Sequence, residues 1–179
     1  MTSPRAEGRG LRAFALLCPA LGLAIAVGAG LRAQQPADDG WRTFAGAWSA
    51  SGVRQTLPAE AGRTAAIARL SGALVLSSGG AGTGFAAEAI GFDDGASETT
   101  GRAVWTDSRG DRIFSTLRGE PLQTGRHITG TITGGTGRWS GAIGEYTLTW
   151  QYVVAGEGDA IQGWSKDVHG RVRIGEARR

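Results

Sequence analysis

Residues 128–154 read ITGTITGGTGRWSGAIGEYTLTWQYVV, and this stretch decides the fold. It contains two segments in which apolar and polar residues alternate, separated by the glycine-rich run GGTGRWSGAIG. Alternation with a period of two is typical of a β-strand with one buried face. Glycine permits positive φ angles and close contact between strands, so the run predicts a corner in a strongly bent sheet or closed barrel.

The rest of the chain shows the same short-period pattern. Turn signals such as Asp93-Asp94-Gly95 recur at short spacing, and no long helical periodicity is present. Short connections favour an all-β fold, an antiparallel eight-stranded closed barrel, because closure removes the unpaired edges of a sheet. A β-sandwich is the alternative. We expect strands at about 43–56, 64–77, 83–92, 100–107, 111–119, 126–133, 138–154 and 160–174.

The first part of the chain has the composition of a secretory signal. Three arginines precede an apolar stretch over 13–29, and small residues follow it. The chain would then be exported, to the periplasm or the exterior of a bacterial cell. An uncleaved membrane anchor is the alternative, because the apolar stretch approaches the length of a spanning helix. We expect a signal peptide over 1–33, a linker over 34–42, one barrel domain over 43–175 and a tail over 176–179.

Composition excludes several kinds of chemistry. The first 33 residues hold four arginines and one glutamate, so the remaining chain has 15 basic and 15 acidic groups and gives no support for a nucleic-acid partner. The one cysteine, Cys18, lies in the signal, which leaves no disulfide or thiol chemistry. The two histidines, His127 and His169, are far apart in sequence, so we expect no metal site and no cofactor.

Two motifs resemble known barrel families. Gly46-x-Trp48 resembles the Gly-x-Trp opening of lipocalins and other calycins, in which an arginine of the last strand packs over the tryptophan. Arg171 or Arg173 would supply that cation–π contact here. The run from Gly134 to Ala142, with Gly135 and Gly137, is similar to the GGTGRF-type corner of allene oxide cyclase and dirigent-like barrels.

This resemblance implies a small eight-stranded barrel, often oligomeric, with a cavity for an apolar small molecule. It implies structural roles for Trp48, for Arg171 and for the glycines of the corner. The cyclase site of that family relies on asparagine and cysteine beside a glutamate, and the chain after residue 33 contains neither of the first two. The activity of the cyclase is therefore not expected, and the resemblance is limited to the scaffold.

Aromatic residues are the main candidates for a pocket. Trp105, Trp139, Trp150 and Trp164 lie in three of the predicted strands and would line one cavity, with Tyr152 adding a hydroxyl group. The same rings would equally fill a core that is otherwise made of alanine and glycine. As ligand-binding residues we select Trp105, Trp150, Tyr152 and Glu88.

Glu88 has two interpretations. If Ala86, Glu88, Ile90 and Phe92 face inward, Glu88 is a carboxylate among apolar groups and a candidate acid or base. If Phe85, Ala87 and Ala89 face inward, Glu88 is solvated, which is the commoner situation because unpaired buried carboxylates are rare.

The sequence favours a binding protein for a small apolar compound over an enzyme. A cofactor-independent isomerase or cyclase that uses Glu88 is one alternative, and a ligand-free structural barrel is another. The chain would contact a membrane only through an uncleaved signal, and it would form a homo-oligomer if it follows the families it resembles.

Overall fold

The computed structural model describes residues 40–77, 84–96, 98–122, 125–155 and 159–175. The predicted signal peptide, most of the predicted linker and the tail over 176–179 lie outside these residues. The described strands are β1 (Arg42–Pro58), β2 (Thr64–Leu76), β3 (Gly84–Asp93), β4 (Thr99–Thr106), β5 (Arg112–Leu122), β6 (Gly125–Gly135), β7 (Ala142–Ala155) and β8 (Ala160–Ile174).

The strands form a closed antiparallel barrel in which each strand pairs with its neighbours in sequence. The sheet closes because β1 also pairs with β8, for example at Ala50 opposite Gly163. The predicted fold class is therefore confirmed, and the sandwich alternative is excluded, since a sandwich would leave these two strands in separate sheets.

Alternation along each strand separates the interior from the surface. In β7 the side chains of Tyr146, Leu148 and Trp150 are buried, whereas Glu145 and Gln151 are exposed. Buried aromatic and aliphatic side chains from the strands and the connections meet in one core. Every second residue therefore points into the barrel, as the sequence pattern predicts.

The glycine-rich run forms a corner rather than the start of a strand. The predicted strand over 138–154 begins only at Ala142, because Gly137–Trp139 form one turn of 3-10 helix. Gly137 has φ of 53°, in the left-handed region that favours glycine. A Cβ atom on Gly135 would lie 2.7 Å from Cβ of Trp139, too close for any real side chain.

A bulge in β8 is stabilised by its own side chain. The pairing of β8 with β1 shifts between Ser165 and Val168, and Asp167 lies in the interval. The Asp167 carboxylate accepts a hydrogen bond from the backbone N–H of Thr149 at 2.8 Å and another from the Ser165 hydroxyl at 2.6 Å. Burial alone would raise the pKa of Asp167, but these hydrogen bonds outweigh it and lower the pKa below the usual value.

The barrel has two different ends. We name as the closed end the one that carries the connections 107–111 and 136–141. At the open end lie the connection 59–63, residues 94–96 and 98 between β3 and β4, the last residues of β5 and β7, and the first residues of β6 and β8. At the closed end the interior is filled by Phe44, Leu76, Phe85, Ile113 and Trp139, all of them buried.

Candidate functional site

A cavity of about 90 Å³ lies inside the barrel toward the open end. One wall is made of alanine and glycine because the inward positions of β2, β3 and β4 carry little else in this half of the barrel. Such side chains are too short to reach the barrel axis, so the space remains unfilled. These residues are Ala66, Ala68, Ala87, Ala89, Gly91, Gly101 and Ala103.

A second wall is aromatic. The rings of Trp48 and Trp150 lie 4.9 Å apart between centroids, and those of Trp105 and Tyr146 lie 4.7 Å apart. Tyr152 meets Trp150 edge-on at 6.2 Å and is 41 % exposed, which places it at the rim. Tilted and edge-on ring pairs of this kind stabilise one another beyond their buried area.

Two inward glycines make room for the largest rings. A Cβ atom on Gly130 in β6 would overlap the ring of Tyr146, and one on Gly163 in β8 would overlap the indole of Trp150. The aromatic wall therefore depends on bare backbone in the neighbouring strands, as it does where any ring lies flat against a sheet.

Charged side chains surround the mouth of the cavity. Arg126 of β6 forms an ion pair with Asp93 of β3 across the barrel, and both side chains are mostly buried. Arg54 of β1 also borders the cavity and is half-buried. Arg54 makes no ion pair with any residue in the described part of the chain.

Three polar groups around this cavity have no hydrogen-bond partner among the described residues. They are the indole nitrogens of Trp48 and Trp150 and the hydroxyl oxygen of Thr99. The two tryptophans are only 7 % and 2 % exposed, so bulk solvent reaches little of their surface. A buried donor left unpaired costs about 1–3 kcal/mol, which is unusual enough in a folded protein to need an explanation.

Tyr146 is satisfied from inside the protein. Its hydroxyl lies 2.8 Å from the hydroxyl of Ser115, which is also buried. Burial raises the pKa of Tyr146 to about 12, despite the hydrogen bond to Ser115 that opposes the shift. The phenol therefore stays neutral at physiological pH and contributes a polar contact rather than a base.

The closed end has a buried carboxylate at its centre. Asp107 accepts hydrogen bonds from the N–H groups of Arg109 at 2.7 Å and Asp111 at 3.1 Å. It also accepts from the guanidinium of Arg138 at 2.7 Å and the indole of Trp139 at 2.8 Å. Burial alone would raise the pKa of Asp107, but these four donors outweigh it and lower the pKa to about 2.

Of the sequence-predicted ligand-binding residues, Trp105 and Trp150 border the cavity and Tyr152 stands at its rim. Glu88 also borders the cavity, but its side chain does not point into the barrel. Phe85 and Ala87 face inward, so Glu88 points outward, where its carboxylate lies 3.4 Å from Arg69 on the barrel surface. The interpretation of Glu88 as an interior acid or base is therefore wrong, because a strand cannot turn adjacent residues to one face.

Two further predictions about aromatic residues need correction. Trp139 and Trp164 do not line the cavity, because Trp139 is buried at the closed end and Trp164 faces the surface, where the ammonium of Lys166 lies 4.2 Å from its ring centroid. Arg171 and Arg173 lie over Trp41, at 4.8 Å and 5.2 Å, rather than over Trp48. The reason is again alternation, since Val172 is buried and its neighbour Arg171 must point outward.

The sequence pattern does not predict the polar residues at the mouth, namely Arg54, Asp93, Thr99 and Arg126. Asp93 was assigned only to a turn, and its partner Arg126 is 33 residues away on the other side of the barrel. Tyr146 was also missed, although its place in the alternation of Tyr146, Leu148 and Trp150 could have revealed it.

Comparison with known proteins does not extend this picture. No protein-family model matches the chain, and a search of the curated proteins found no match either. None of the helices in the described ranges has the length and apolarity needed to cross a lipid bilayer. Within the same ranges, no cluster of three or more histidine, cysteine, aspartate or glutamate side chains is arranged to hold a metal ion.

Proposed function

We propose that this protein is an exported β-barrel that binds a small, mainly apolar molecule in the cavity behind its open end. The observation that carries the proposal is the unfilled apolar space of about 90 Å³ between the alanine and glycine wall and the aromatic wall. Mostly apolar pockets with a few polar groups are the usual form of small-molecule sites.

The volume limits the ligand. An enclosed apolar cavity of about 150 Å³ accepts benzene, so this smaller space suits a short alkyl chain or part of a ring. The open end lets a longer molecule extend toward solvent. An empty space of 90 Å³ costs about 2 kcal/mol at roughly 24 cal/mol per Å³, and a ligand that fills it recovers part of that free energy.

Binding is favoured over catalysis because the described interior offers no free base. Tyr146 is neutral, and Asp93 is neutralised by Arg126. Export rests on the composition of residues 1–33, and assembly into a homo-oligomer rests on the family resemblance. Both remain predictions. The GGTGRW corner and the Gly-x-Trp motif support a scaffold like that of the allene oxide cyclase and dirigent-like barrels.

A cavity-filling variant with a matched control tests the proposal. Ala89→Leu adds three carbons on the inward face of β3, whereas Ala86→Leu adds the same atoms on the outward face of the same strand. We expect toluene or hexanamide to change the tryptophan fluorescence and raise the Tm of the wild type and of Ala86→Leu. Ala89→Leu should lose both effects, because its side chain occupies the space.

Native mass spectrometry of the protein purified from its host without detergent provides the second readout. A bound mass that is lost on denaturation supports the proposal and identifies the ligand. An apo mass, combined with no response of the wild type to either probe, would mean that the barrel is a ligand-free structural element.

A further inference from the structure

The unpaired polar groups around the cavity are all able to donate a hydrogen bond. An indole N–H can only donate, so Trp48 and Trp150 each need an acceptor, and the Thr99 hydroxyl can donate as well. A hydrocarbon would leave every one of them unpaired. The complementary ligand therefore carries oxygen atoms that accept hydrogen bonds.

The charges at the mouth indicate the sign of that acceptor group. Among the described residues, three charged side chains at inward strand positions border the cavity here: Arg54, Asp93 and Arg126. Glu88 and Arg118 also border it, but their side chains are exposed. Arg126 and Asp93 neutralise each other, which leaves the charge of Arg54 uncompensated among the inward groups. The acidic residues that the structure describes in the connections at this end, Glu60, Asp94, Glu98 and Asp159, are exposed to solvent, which screens them.

The register brings these groups together. Trp150 lies directly opposite Arg126 in the pairing of β7 with β6, and its ring contacts that of Trp48. Thr99 begins β4, and its Cβ lies near the inward position of Gly119, next to the stem of Arg126. Arg54 borders the same cavity as these three donors.

We infer that the ligand is a small monocarboxylic acid whose apolar body occupies the cavity and whose carboxylate meets Arg54 and the unpaired donors at the mouth. This inference rests on the proposed function and adds the chemical class. One uncompensated cation matches one negative charge, which favours a carboxylate over a phosphate dianion. An amine is disfavoured, because Asp93, the one inward carboxylate among the described residues of the mouth, already has a partner.

Hexanoate and hexanamide are the matched probes, since they share a carbon chain and differ in charge. We expect the wild type to bind hexanoate about tenfold or more tightly than hexanamide, as measured by calorimetry at low salt. Arg54→Gln should abolish that preference by weakening hexanoate about tenfold while changing hexanamide less than about twofold. Added salt should weaken only hexanoate.

Arg102→Gln is the control, because Arg102 is an exposed outward arginine of β4 and the variant has the same net charge as Arg54→Gln. It should leave both affinities unchanged. If Arg54→Gln also loses its affinity for hexanamide, the variant Arg54→Lys, which keeps the positive charge, is measured instead. A preference of Arg54→Lys for hexanoate over hexanamide supports the inference, and equal affinities overturn it.

The two proposals fail in different ways. Equal affinity of the wild type for hexanoate and hexanamide overturns the inference about the carboxylate and leaves the binding function standing. No binding of hexanoate, hexanamide or toluene overturns the binding function, and the inference falls with it.

Discussion

The two ends of the barrel differ in how their buried polar groups are paired. At the closed end the Asp107 carboxylate has four donors, and the indole of Trp139 is one of them. Around the cavity, the indoles of Trp48 and Trp150 have no acceptor among the described residues. The buried carboxylate of the closed end is therefore fully paired within the fold, whereas these two indoles are not.

The same difference appears in packing. The closed end is filled by large side chains such as Phe44 and Phe85, each of which packs against Trp105. The open end has alanine and glycine on three adjacent strands and keeps an unfilled space. A barrel that gives up packing and hydrogen bonding at one end loses stability there, which is a common feature of binding sites.

The largest expected effect is at the closed end. Asp107→Asn removes the charge that four donors surround, and it leaves the guanidinium of Arg138 without its partner. We expect the Tm to fall by about 10 °C in a calorimetric or circular dichroism melt.

Asp94→Asn is the control for that variant, because Asp94 is an exposed carboxylate at the open end that accepts one backbone hydrogen bond from Ala96 at 2.8 Å. It should shift the Tm by less than about 2 °C. Similar shifts in the two variants would mean that the closed end does not hold the barrel together as the geometry indicates.

A pair of tryptophan substitutions compares the two ends directly. Trp139→Phe keeps an aromatic ring but removes a hydrogen bond to a buried charge, so the free energy of unfolding should fall by about 2–3 kcal/mol. Trp150→Phe also loses ring area, but it removes a donor that has no partner, so the change should be less than about 1 kcal/mol.

Urea denaturation of both variants without ligand measures these differences. Equal destabilisation would show that the indole of Trp150 is paired in solution, and the contrast between the ends would then disappear. In the presence of hexanoate, the difference in destabilisation between Trp139→Phe and Trp150→Phe should become smaller. The reason is that Trp150→Phe then also loses a contact that we expect only in the ligand-bound protein.

Much of the barrel follows from the sequence because strand period and turn residues are local signals. Strands as clear as the one with Tyr146, Leu148 and Trp150 were predicted within a few residues of their bounds. The corner was predicted as a glycine feature, but its turn of 3-10 helix was not, because Arg138 and Trp139 are held there by Asp107, about 30 residues away.

The cavity is harder to predict from the sequence than the barrel is. In β3 the outward face carries Ile90 and Phe92, which are 53 % and 47 % exposed, while the inward face near the open end carries Ala87 and Ala89. A prediction from hydrophobicity alone would therefore place the outward face of β3 in the barrel interior. The small inward side chains leave the cavity unfilled. A hydrophobic pattern marks buried positions by large apolar residues, so it gives no sign of a cavity lined by alanine and glycine.

The smallest predicted effect is the response of the closed end to acid. The pKa of Asp107 is lowered from 3.8 to about 2 in the folded protein, so the ionised carboxylate stabilises the fold. That contribution is complete above pH of about 4 and is lost as the pH falls from about 4 toward 2, where the unfolded chain binds the proton more tightly. The Tm of the wild type should therefore fall as the pH is lowered from about 4 to about 2.

The Tm of Asp107→Asn should fall less steeply over the same pH range, but it should still fall, because the pKa of Asp167 is also lowered. A variant whose Tm falls as steeply as that of the wild type would place the acid sensitivity elsewhere, and the contrast between the ends would then rest on the tryptophan pair alone.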